Sequence, residues 1–343
     1  RFMGYDASKH FPAGGLVNLR FLPAVIAILC LSAAAFAQTL TLRVAGVNRN
    51  YILHAPSGLE KPPLVFVIHG FNMTGQQEVS LTRMNQVADR EKFIVVYPNA
   101  LPNGSGQQSW DMAGPNDFAF LLAIIDSVDA AHKIDRKRVY ASGFSQGGFL
   151  SFQLGCRYAD VFAAIAPVSG LLNNSAGCNP KRPVPMIFTF GTNEGFDVNG
   201  FLQSGRDWVK LNGCDATPTV LDPYPAGNPN SVVTRSIHGS CKEGAEVVIQ
   251  SVEGGGHEWP MNTQTKVNNS EEVWAFFKKH SLAAPTALHR REGRTSAGIV
   301  RAESSGGRIR LWGMGAESSA RVLDTRGREI ATDITKGSRF SGQ

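Results

Sequence analysis

Continuous apolar runs alternate with amphipathic stretches along most of the chain. Five of these runs have the length and composition of strands buried on both faces of a sheet: 63–68, 93–97, 162–168, 186–190 and 246–249. Residues 78–90 predict a helix, and a second helix begins at Asp117 with an apolar face of Phe118, Leu121, Leu122 and Ile125. Strands that alternate with helices indicate right-handed crossovers and a doubly wound, mostly parallel sheet of the α/β class.

The two ends of this pattern differ from its middle. Residues 39–44 alternate between apolar and polar, and a turn at Gly46 leads to 50–54, which predicts a hairpin at the edge of the sheet. A helix capped by Asn269, with Glu272 completing a capping box, closes the pattern. We therefore place the α/β domain at 38–283.

The composition of the chain changes at residue 284. The stretch 284–307 is polar and rich in Arg, Gly and Ser, which predicts a linker. Short alternating runs within 308–343 predict a partial, β-rich C-terminal segment. Because so few residues cannot bury a core alone, this short all-β segment is either a truncated domain or a sheet that needs a partner.

Residues 1–37 predict an upstream extension followed by an export signal. Residues 1–16 do not begin with Met and are interpreted as the extension. Arg20 then precedes an apolar run at 21–31, and small residues ending in Ala-Phe-Ala follow it. The run is too short for a comfortable membrane span, so we expect a signal peptide cleaved after Ala37. The mature protein is then secreted, to the extracellular space or the cell surface.

The charge of the chain does not indicate a nucleic-acid partner. The 34 Lys and Arg against 28 Asp and Glu give a net charge of +6. Residues 284–343 contain 11 Lys and Arg and 6 Asp and Glu, a net of +5, so the rest carries only +1. The main part also lacks a basic helix interleaved with aromatic residues, and we therefore exclude nucleic-acid binding.

The cysteines predict disulfides rather than a metal site. Removal of the signal removes Cys30 and leaves four cysteines, Cys156, Cys178, Cys214 and Cys241. An even number in an exported protein favours two disulfides, for which there are three pairings. We favour the short-range pairing, which joins the first to the second and the third to the fourth and closes two modest loops. A zinc site would need a C-x-x-C spacing, which is absent, so we expect no metal.

The stretch 139–149 carries the most specific chemistry. A strand ends at Val139 and Tyr140, the pentapeptide Gly-Phe-Ser-Gln-Gly follows, and apolar residues from Phe149 onward predict a helix. Strand, G-x-S-x-G and helix form the nucleophile elbow of α/β-hydrolases, in which glycine leaves room for a strained serine. Ser145 is therefore the candidate nucleophile, and the amide of Gln146 is free to bind an anion.

The partners of this serine are expected on loops after later strands. His257 follows three glycines after the last predicted strand, so its imidazole can reach the edge of the sheet as the general base. Glu194 and Asp197 both follow the strand at 186–190, and either carboxylate can orient the imidazole.

A second anion-binding loop follows the strand at 63–68. Folds of this kind take a donor amide from that position, so we expect the amides of Phe71 and Gln146 to bind one oxyanion. His69 is expected to hold the loop by hydrogen bonds. Trp110 and Trp259 are expected near the cleft, where they can stack on an aromatic acid or a sugar ring.

Four segments together resemble the secreted polyhydroxybutyrate depolymerase / feruloyl esterase family: 67–70, 138–148, 162–168 and 255–260. In that family the acid is usually Asp in a Gly-Thr-x-Asp segment, so the resemblance implies Glu194 as the acid, with Asp197 as the alternative. It also implies that Cys214 pairs with Cys241. The tail at 322–328 is similar to C-terminal sorting modules of secreted Gram-negative proteins, which implies contact with secretion machinery.

The resemblance implies a secreted serine ester hydrolase, a feruloyl esterase acting on xylan esters of the plant cell wall. The alternative substrates are those of an acetylxylan esterase or of a polyhydroxybutyrate-type polyester depolymerase. A non-catalytic, carbohydrate-binding protein on a hydrolase fold is the alternative of a different class. The expected partner is a polysaccharide ester or a polyester, and we expect a monomer without a cofactor.

Overall fold

A computed structural model describes residues 37–283 except 113, 174, 264 and 265, and the backbone of four strands between 301 and 334. The chain divides into two compact units, Arg1–Ala284 and Pro285–Gln343. The predicted signal sequence lies outside the described residues. No helix in the described part of the chain is long and apolar enough to cross a membrane.

A sheet of ten strands forms the centre of the first unit. Its strands are β1 Gln38–Val44, β2 Val47–His54, β3 Leu64–Ile68, β4 Ile94–Pro98, β7 Val139–Phe144, β8 Ala164–Val168, β9 Met186–Gly191, β10 Thr219–Leu221, β11 Val233–His238 and β12 Val247–Val252. A separate two-stranded ladder pairs β5, Leu101–Pro102, with β6, Gln108–Ser109.

The order of the strands across the sheet is β1-β2-β4-β3-β7-β8-β9-β12-β11-β10. Neighbouring strands from β4 to β12 run parallel, whereas β1 and β2 at one edge and β11 and β10 at the other are antiparallel. The predicted α/β class with a doubly wound, mostly parallel sheet is confirmed, as is the hairpin at its edge.

Helices cover both faces of this sheet, as a sheet that is apolar on both sides requires. They are α1 Gly75–Thr82, α2 Met84–Glu91, α3 Asn116–His132, α4 Gln146–Arg157, α5 Val198–Leu211 and α6 Asn269–Phe277. One core cluster contains the apolar faces of α3, α4 and α5, and a second cluster contains those of α2 and α6. Five of the parallel strands, β3, β4, β7, β8 and β9, are buried along their whole length.

Three local predictions need correction. The helix predicted at 78–90 is two helices, because Arg83 has a left-handed backbone with φ 51°. The last helix is capped by Asn268 rather than Asn269, since the Asn268 side chain accepts from the amides of Ser270 and Glu271. β10 and β11 were not predicted, because one is short and the other mixes polar with apolar residues.

The second unit consists, as far as it is described, of two β-hairpins. β13 Arg301–Ser305 pairs with β14 Arg308–Trp312, and β15 Ala320–Leu323 pairs with β16 Glu329–Ile334. β13 lies within the stretch 284–307 that the sequence predicted as linker, so strand structure begins earlier than expected. Its sequence, Arg-Ala-Glu-Ser-Ser, has too few apolar residues to be recognised as a strand.

Candidate active site

The turn between β7 and α4 holds Ser145 in a strained backbone conformation. Its φ of 54° and ψ of −118° lie outside the regions that non-glycine residues ordinarily occupy. The turn is so tight that a Cβ atom at residue 147 would lie 1.9 Å from the carbonyl oxygen of Ile68, which only glycine avoids. This is the geometry that lifts a serine hydroxyl clear of the sheet at the start of a helix.

The loop after β3 lies directly against this turn. A Cβ atom at Gly70 would be 3.1 Å from Cβ of Ser145, so the glycine lets the loop approach the nucleophile. The side chain of His69 fixes the loop, because its Nε2 accepts from the amide of Ala100 at 3.0 Å and its Nδ1 lies 2.7 Å from the Gly70 carbonyl. Burial lowers the pKa of His69 to about 4, so the ring is neutral and serves as a support. The predicted hydrogen-bonding role of His69 is confirmed.

The loops that carry His257 and Glu194 leave the sheet side by side. β9 and β12 are parallel neighbours, and their last residues, Gly191 and Val252, are paired in register. The amide of Asn193 donates to the Gly255 carbonyl at 2.8 Å, which ties the two loops together. As a result, Nδ1 of His257 lies 2.7 Å from Oε2 of Glu194. This contact leaves Nε2 as the imidazole nitrogen that Glu194 does not engage.

The second oxygen of Glu194 is held by two donors. Its Oε1 accepts from the hydroxyl of Ser169 and from the amide of Gly191, both at 2.6 Å. The Glu194 side chain is fully buried. The two donors fix the position of the carboxylate, so its other oxygen is held against the imidazole.

Sequence reasoning missed Ser169. It follows β8 directly and has a positive φ of 51°, which is uncommon for serine. Because β8 lies next to β9, the residue after β8 reaches the loop that holds Glu194. A polar residue immediately after a buried strand was the available signal.

Asp197, the alternative acid, occupies a different position. It is the N-cap of α5, where its carboxylate accepts from the amide of Asn199 at 2.9 Å. Acidic side chains at this position stabilise a helix by satisfying a free amide and interacting with the helix dipole. Among the two candidate carboxylates, only that of Glu194 is in contact with His257.

The expectation that Trp110 and Trp259 line the cleft needs correction. Both indoles are buried, with 3% and 2% of their residues' surface exposed. The Trp110 indole donates to the His69 carbonyl at 2.9 Å, and that of Trp259 donates to the hydroxyl of Ser270 at 3.1 Å. Neither ring presents a face on which a ligand can stack, and both have packing and hydrogen-bonding roles.

Two phenylalanines are exposed beside the candidate catalytic residues instead. Phe71 is 46% exposed and Phe196 is 59% exposed. The Phe196 ring meets the His257 imidazole edge to face, with ring centroids 5.1 Å apart. The Phe144 ring lies against the same imidazole, with ring centroids 4.7 Å apart. Exposed apolar residues next to reactive groups are the surface that a ligand would first meet.

The cysteines form two disulfides with the predicted pairing. Cys156 is joined to Cys178, and Cys214 is joined to Cys241. Within the described part of the chain, no cluster of three or more His, Cys, Asp or Glu residues is arranged to hold a metal ion.

Known proteins are similar to this chain in sequence and in fold. Residues 49–179 match the family model described as Esterase PHB depolymerase. A bifunctional acetylxylan esterase/xylanase of Neocallimastix patriciarum is 32% identical over 251 residues, which are 71% of this chain and 35% of that protein. Feruloyl esterase B of Piromyces equi is 28% identical over 262 residues, 68% of this chain and 46% of that protein. The chain thus spans less than half the length of either relative.

Among solved structures, acetyl xylan esterase from Aspergillus awamori superimposes with a TM-score of 0.57 at 16% identity, over 71% of this chain and 99% of that one. At this identity the likeness shows the fold alone. Residues 49–179 therefore form a domain that matches the Esterase PHB depolymerase family model, and the chain has the α/β-hydrolase fold.

Proposed function

We propose that this protein is a serine carboxylic-ester hydrolase whose nucleophile, base and acid are Ser145, His257 and Glu194. The observation that carries the proposal is the 2.7 Å contact between His257 and a buried Glu194 that accepts two further hydrogen bonds. The His257 ring also lies 4.7 Å, centroid to centroid, from that of Phe144, the residue before Ser145. A binding protein without catalysis would have no need for a carboxylate held in this way behind an imidazole.

In the proposed reaction, Oγ of Ser145 attacks the ester carbonyl while Nε2 of His257 takes its proton. The amides of Phe71 and Gln146 stabilise the oxyanion of the tetrahedral intermediate. That of Gln146 is the first of a helix and has no acceptor within it. Collapse of the intermediate breaks the bond to the alcohol, which leaves with the proton from His257. Water then attacks the acyl-serine by the same route and releases the acid.

For the substrate we propose esters of plant cell-wall xylan, with feruloyl esters first. The names of the two relatives support this class, since they describe an acetylxylan esterase and a feruloyl esterase. The exposed ring of Phe196 beside His257 and the exposed ring of Phe71 on the loop next to Ser145 suit an aromatic acyl group. A polyester of the polyhydroxybutyrate type is the second candidate, favoured by the family model's description and by the same apolar surface.

The decisive measurement is release of acid from methyl ferulate, p-nitrophenyl acetate, acetylated xylan and polyhydroxybutyrate by the protein and by Ser145→Ala. We expect turnover of methyl ferulate, and loss of at least a thousandfold in the variant, because the nucleophile is absent. Turnover of only the short esters or of the polymer would move the substrate to the second candidates. A folded protein that hydrolyses none of the four would refute the esterase proposal in favour of a binding protein.

The assignment of the acid has its own test. Glu194→Gln removes the negative charge behind His257, and we expect kcat to fall by about a hundredfold or more. Asp197→Asn is the matched control, because asparagine caps a helix nearly as well as aspartate, and kcat should change less than twofold. If Asp197→Asn instead causes the large fall in kcat and Glu194→Gln changes it less than twofold, Asp197 is the acid.

We also propose that the protein is exported, with cleavage after Ala37. The charged, apolar and small-residue order of 20–37 supports export, and so do the two disulfides, which persist in oxidising compartments. N-terminal sequencing of protein recovered from culture medium should begin at Gln38. Retention of all the protein inside the cells would refute export.

A further inference from the structure

We propose that residues Gln108, Ser109 and Trp110, which we call the brace, fix the separation of the two oxyanion amides, with Trp110 as the principal positioning residue. This inference rests on the proposed function, because it assigns a role within the same site. The amides of Phe71 and Gln146 belong to loops after different strands, β3 and β7, so their spacing is set by contacts between those loops.

The brace is attached to the first loop at two points. The amide of Asn72 donates to the carbonyl of Gln108 at 2.8 Å. On the other side of Phe71, the indole of Trp110 donates to the carbonyl of His69 at 2.9 Å, and its ring lies 4.9 Å from the His69 ring. His69, two residues before Phe71, and Asn72, the residue after it, are therefore both bonded to the brace, and the Phe71 amide lies between these two points in the chain.

The brace is attached to the second loop through the side chain of Gln146. Its Oε1 accepts from the amide of Trp110 at 3.0 Å, and its Nε2 donates to the hydroxyl of Ser109 at 3.1 Å. Gln146 thus offers its backbone amide as one proposed donor, and its side chain holds the brace. The brace in turn holds the loop that carries the other proposed donor, the amide of Phe71. Trp110 takes part in both attachments, through its backbone and its indole.

Contacts on its far side make the brace rigid. Trp110 is buried, and Gln108 and Ser109 pair with the short strand β5. The amide of the next residue, Asp111, donates to the carboxylate of Asp117 at 2.5 Å. A donor stabilises a developing oxyanion most effectively when it is held in place before the reaction, so a rigid connection between two donors has a catalytic effect.

Trp110→Phe tests the proposal, because phenylalanine keeps the buried ring and removes the indole donor. We expect kcat for methyl ferulate to fall at least tenfold with KM changed less than twofold, since the lost interaction acts on the transition state. Trp208→Phe is the matched control: its equally buried indole also donates to a backbone carbonyl at 2.9 Å, that of Val184 on the far side of the domain. This control should retain kcat within twofold.

A second readout does not depend on ester turnover. A p-nitrophenyl alkylphosphonate reacts with an activated serine, displacing p-nitrophenolate and placing the phosphonyl oxygen in the oxyanion site. We expect phosphonylation of Ser145 to slow at least tenfold in Trp110→Phe and in Gln146→Leu. The double variant should be no slower than the slower single variant, because both remove the same connection.

The outcomes separate the two proposals. Slow phosphonylation of Trp110→Phe, with normal labelling of Trp208→Phe, supports the brace even if no ester on the panel is hydrolysed. That second result would refute the proposed esterase activity and leave the brace standing. Wild-type labelling rates in Trp110→Phe, or equal losses in both tryptophan variants, would overturn the brace whatever the ester activity. A wild-type protein that is not labelled at all would overturn both.

Discussion

At the scale of single residues, Glu194 shows how a longer acid is accommodated. Glutamate has one methylene more than aspartate. On a loop shaped for aspartate, that methylene would move the carboxylate away from its position beside the imidazole. Here the carboxylate is anchored by the Gly191 amide at the base of its own loop and by Ser169 from the neighbouring strand. The position of the acid is thus set by where its donors lie, and the glutamate reaches His257 from there.

Glu78 on α1 is a buried carboxyl group outside the candidate site. In the described structure neither of its oxygens has a hydrogen-bond partner, and burial raises its pKa from 4.5 to about 8. Between pH 4.5 and about pH 8, Glu78 keeps its proton in the folded protein and releases it in the unfolded chain. The free energy of unfolding therefore falls as the pH rises through this window, by about a few kcal/mol.

Glu78→Gln removes this titration and keeps the shape of the side chain. We expect the variant to be similar to the parent near pH 4.5 and increasingly more stable than it toward pH 8, measured by urea unfolding at fixed salt. The exposed Glu60→Gln should show no such pH-dependent difference. A constant difference between Glu78→Gln and the parent across the pH range would contradict the assignment.

Residue positions were predictable from the sequence where the signal is local. Ser145 and His257 stand in glycine-rich turns after strands, and those turns have no other purpose in a sheet of this kind. Ser169 was missed because its contact with Glu194 depends on which strands are neighbours. The tryptophans were assigned wrongly because exposure depends on the packing of the whole domain.

At the scale of elements, a buried ion pair joins the antiparallel edge to the helical layer. Nη2 of Arg49 on β2 lies 2.7 Å from Oδ1 of Asp117 on α3, and both side chains are buried. The Arg49 guanidinium also lies over the Phe120 ring, 4.3 Å from its centroid. A buried pair of this kind is costly to break, because removal of one partner leaves an uncompensated charge.

Asp117→Asn is therefore expected to lower the free energy of unfolding by about 3–5 kcal/mol. The matched control is Asp126→Asn on the same helix, whose partner Arg136 is half exposed and whose own side chain is 72% exposed. Exposed pairs contribute about 0–1 kcal/mol, so this control should be nearly neutral. Equal losses in denaturant unfolding of the two variants would refute the special role of the buried pair.

Elements were predictable where the hydrophobic period was unbroken. β3, β4, β8, β9 and β12 contain continuous apolar runs, and each was expected within a few residues of its observed bounds. β7 was predicted to end at Tyr140, but it begins at Val139 and continues to Phe144. β11, Val-Thr-Arg-Ser-Ile-His, carries polar residues such as Arg235 whose burial depends on partners: its guanidinium bonds Glu272 and Gln250. No pattern within the strand itself reveals such pairs in advance.

At the scale of the whole molecule, each disulfide ties the end of a helix to a loop distant in sequence, within a single core cluster. One joins the end of α4 to the loop after β8, across 22 residues, and the other joins the end of α5 to the turn after β11, across 27 residues. Loops of this length contribute about 3 kcal/mol each when closed, largely by restricting the unfolded chain.

The double variant Cys214→Ser/Cys241→Ser should accordingly melt roughly 6–12 °C below the parent in a calorimetric scan. Treatment of the parent with a reductant should lower Tm at least as far, because it opens both bridges. Added to the double variant, the reductant should produce only the smaller loss due to the Cys156–Cys178 bridge. An unchanged Tm in the double variant would contradict a stabilising role.

The exposure of Phe71 and Phe196 has a consequence for how such a protein can acquire new substrates. The glycines of the serine turn tolerate no side chain, as the 1.9 Å approach at residue 147 shows, so mutation there abolishes the reaction. At residue 71 the proposed oxyanion donor is a backbone amide, which every amino acid except proline retains. Selection can therefore vary the two exposed rings freely, and a library confined to these positions should change acyl preference while most of its members remain catalytically competent.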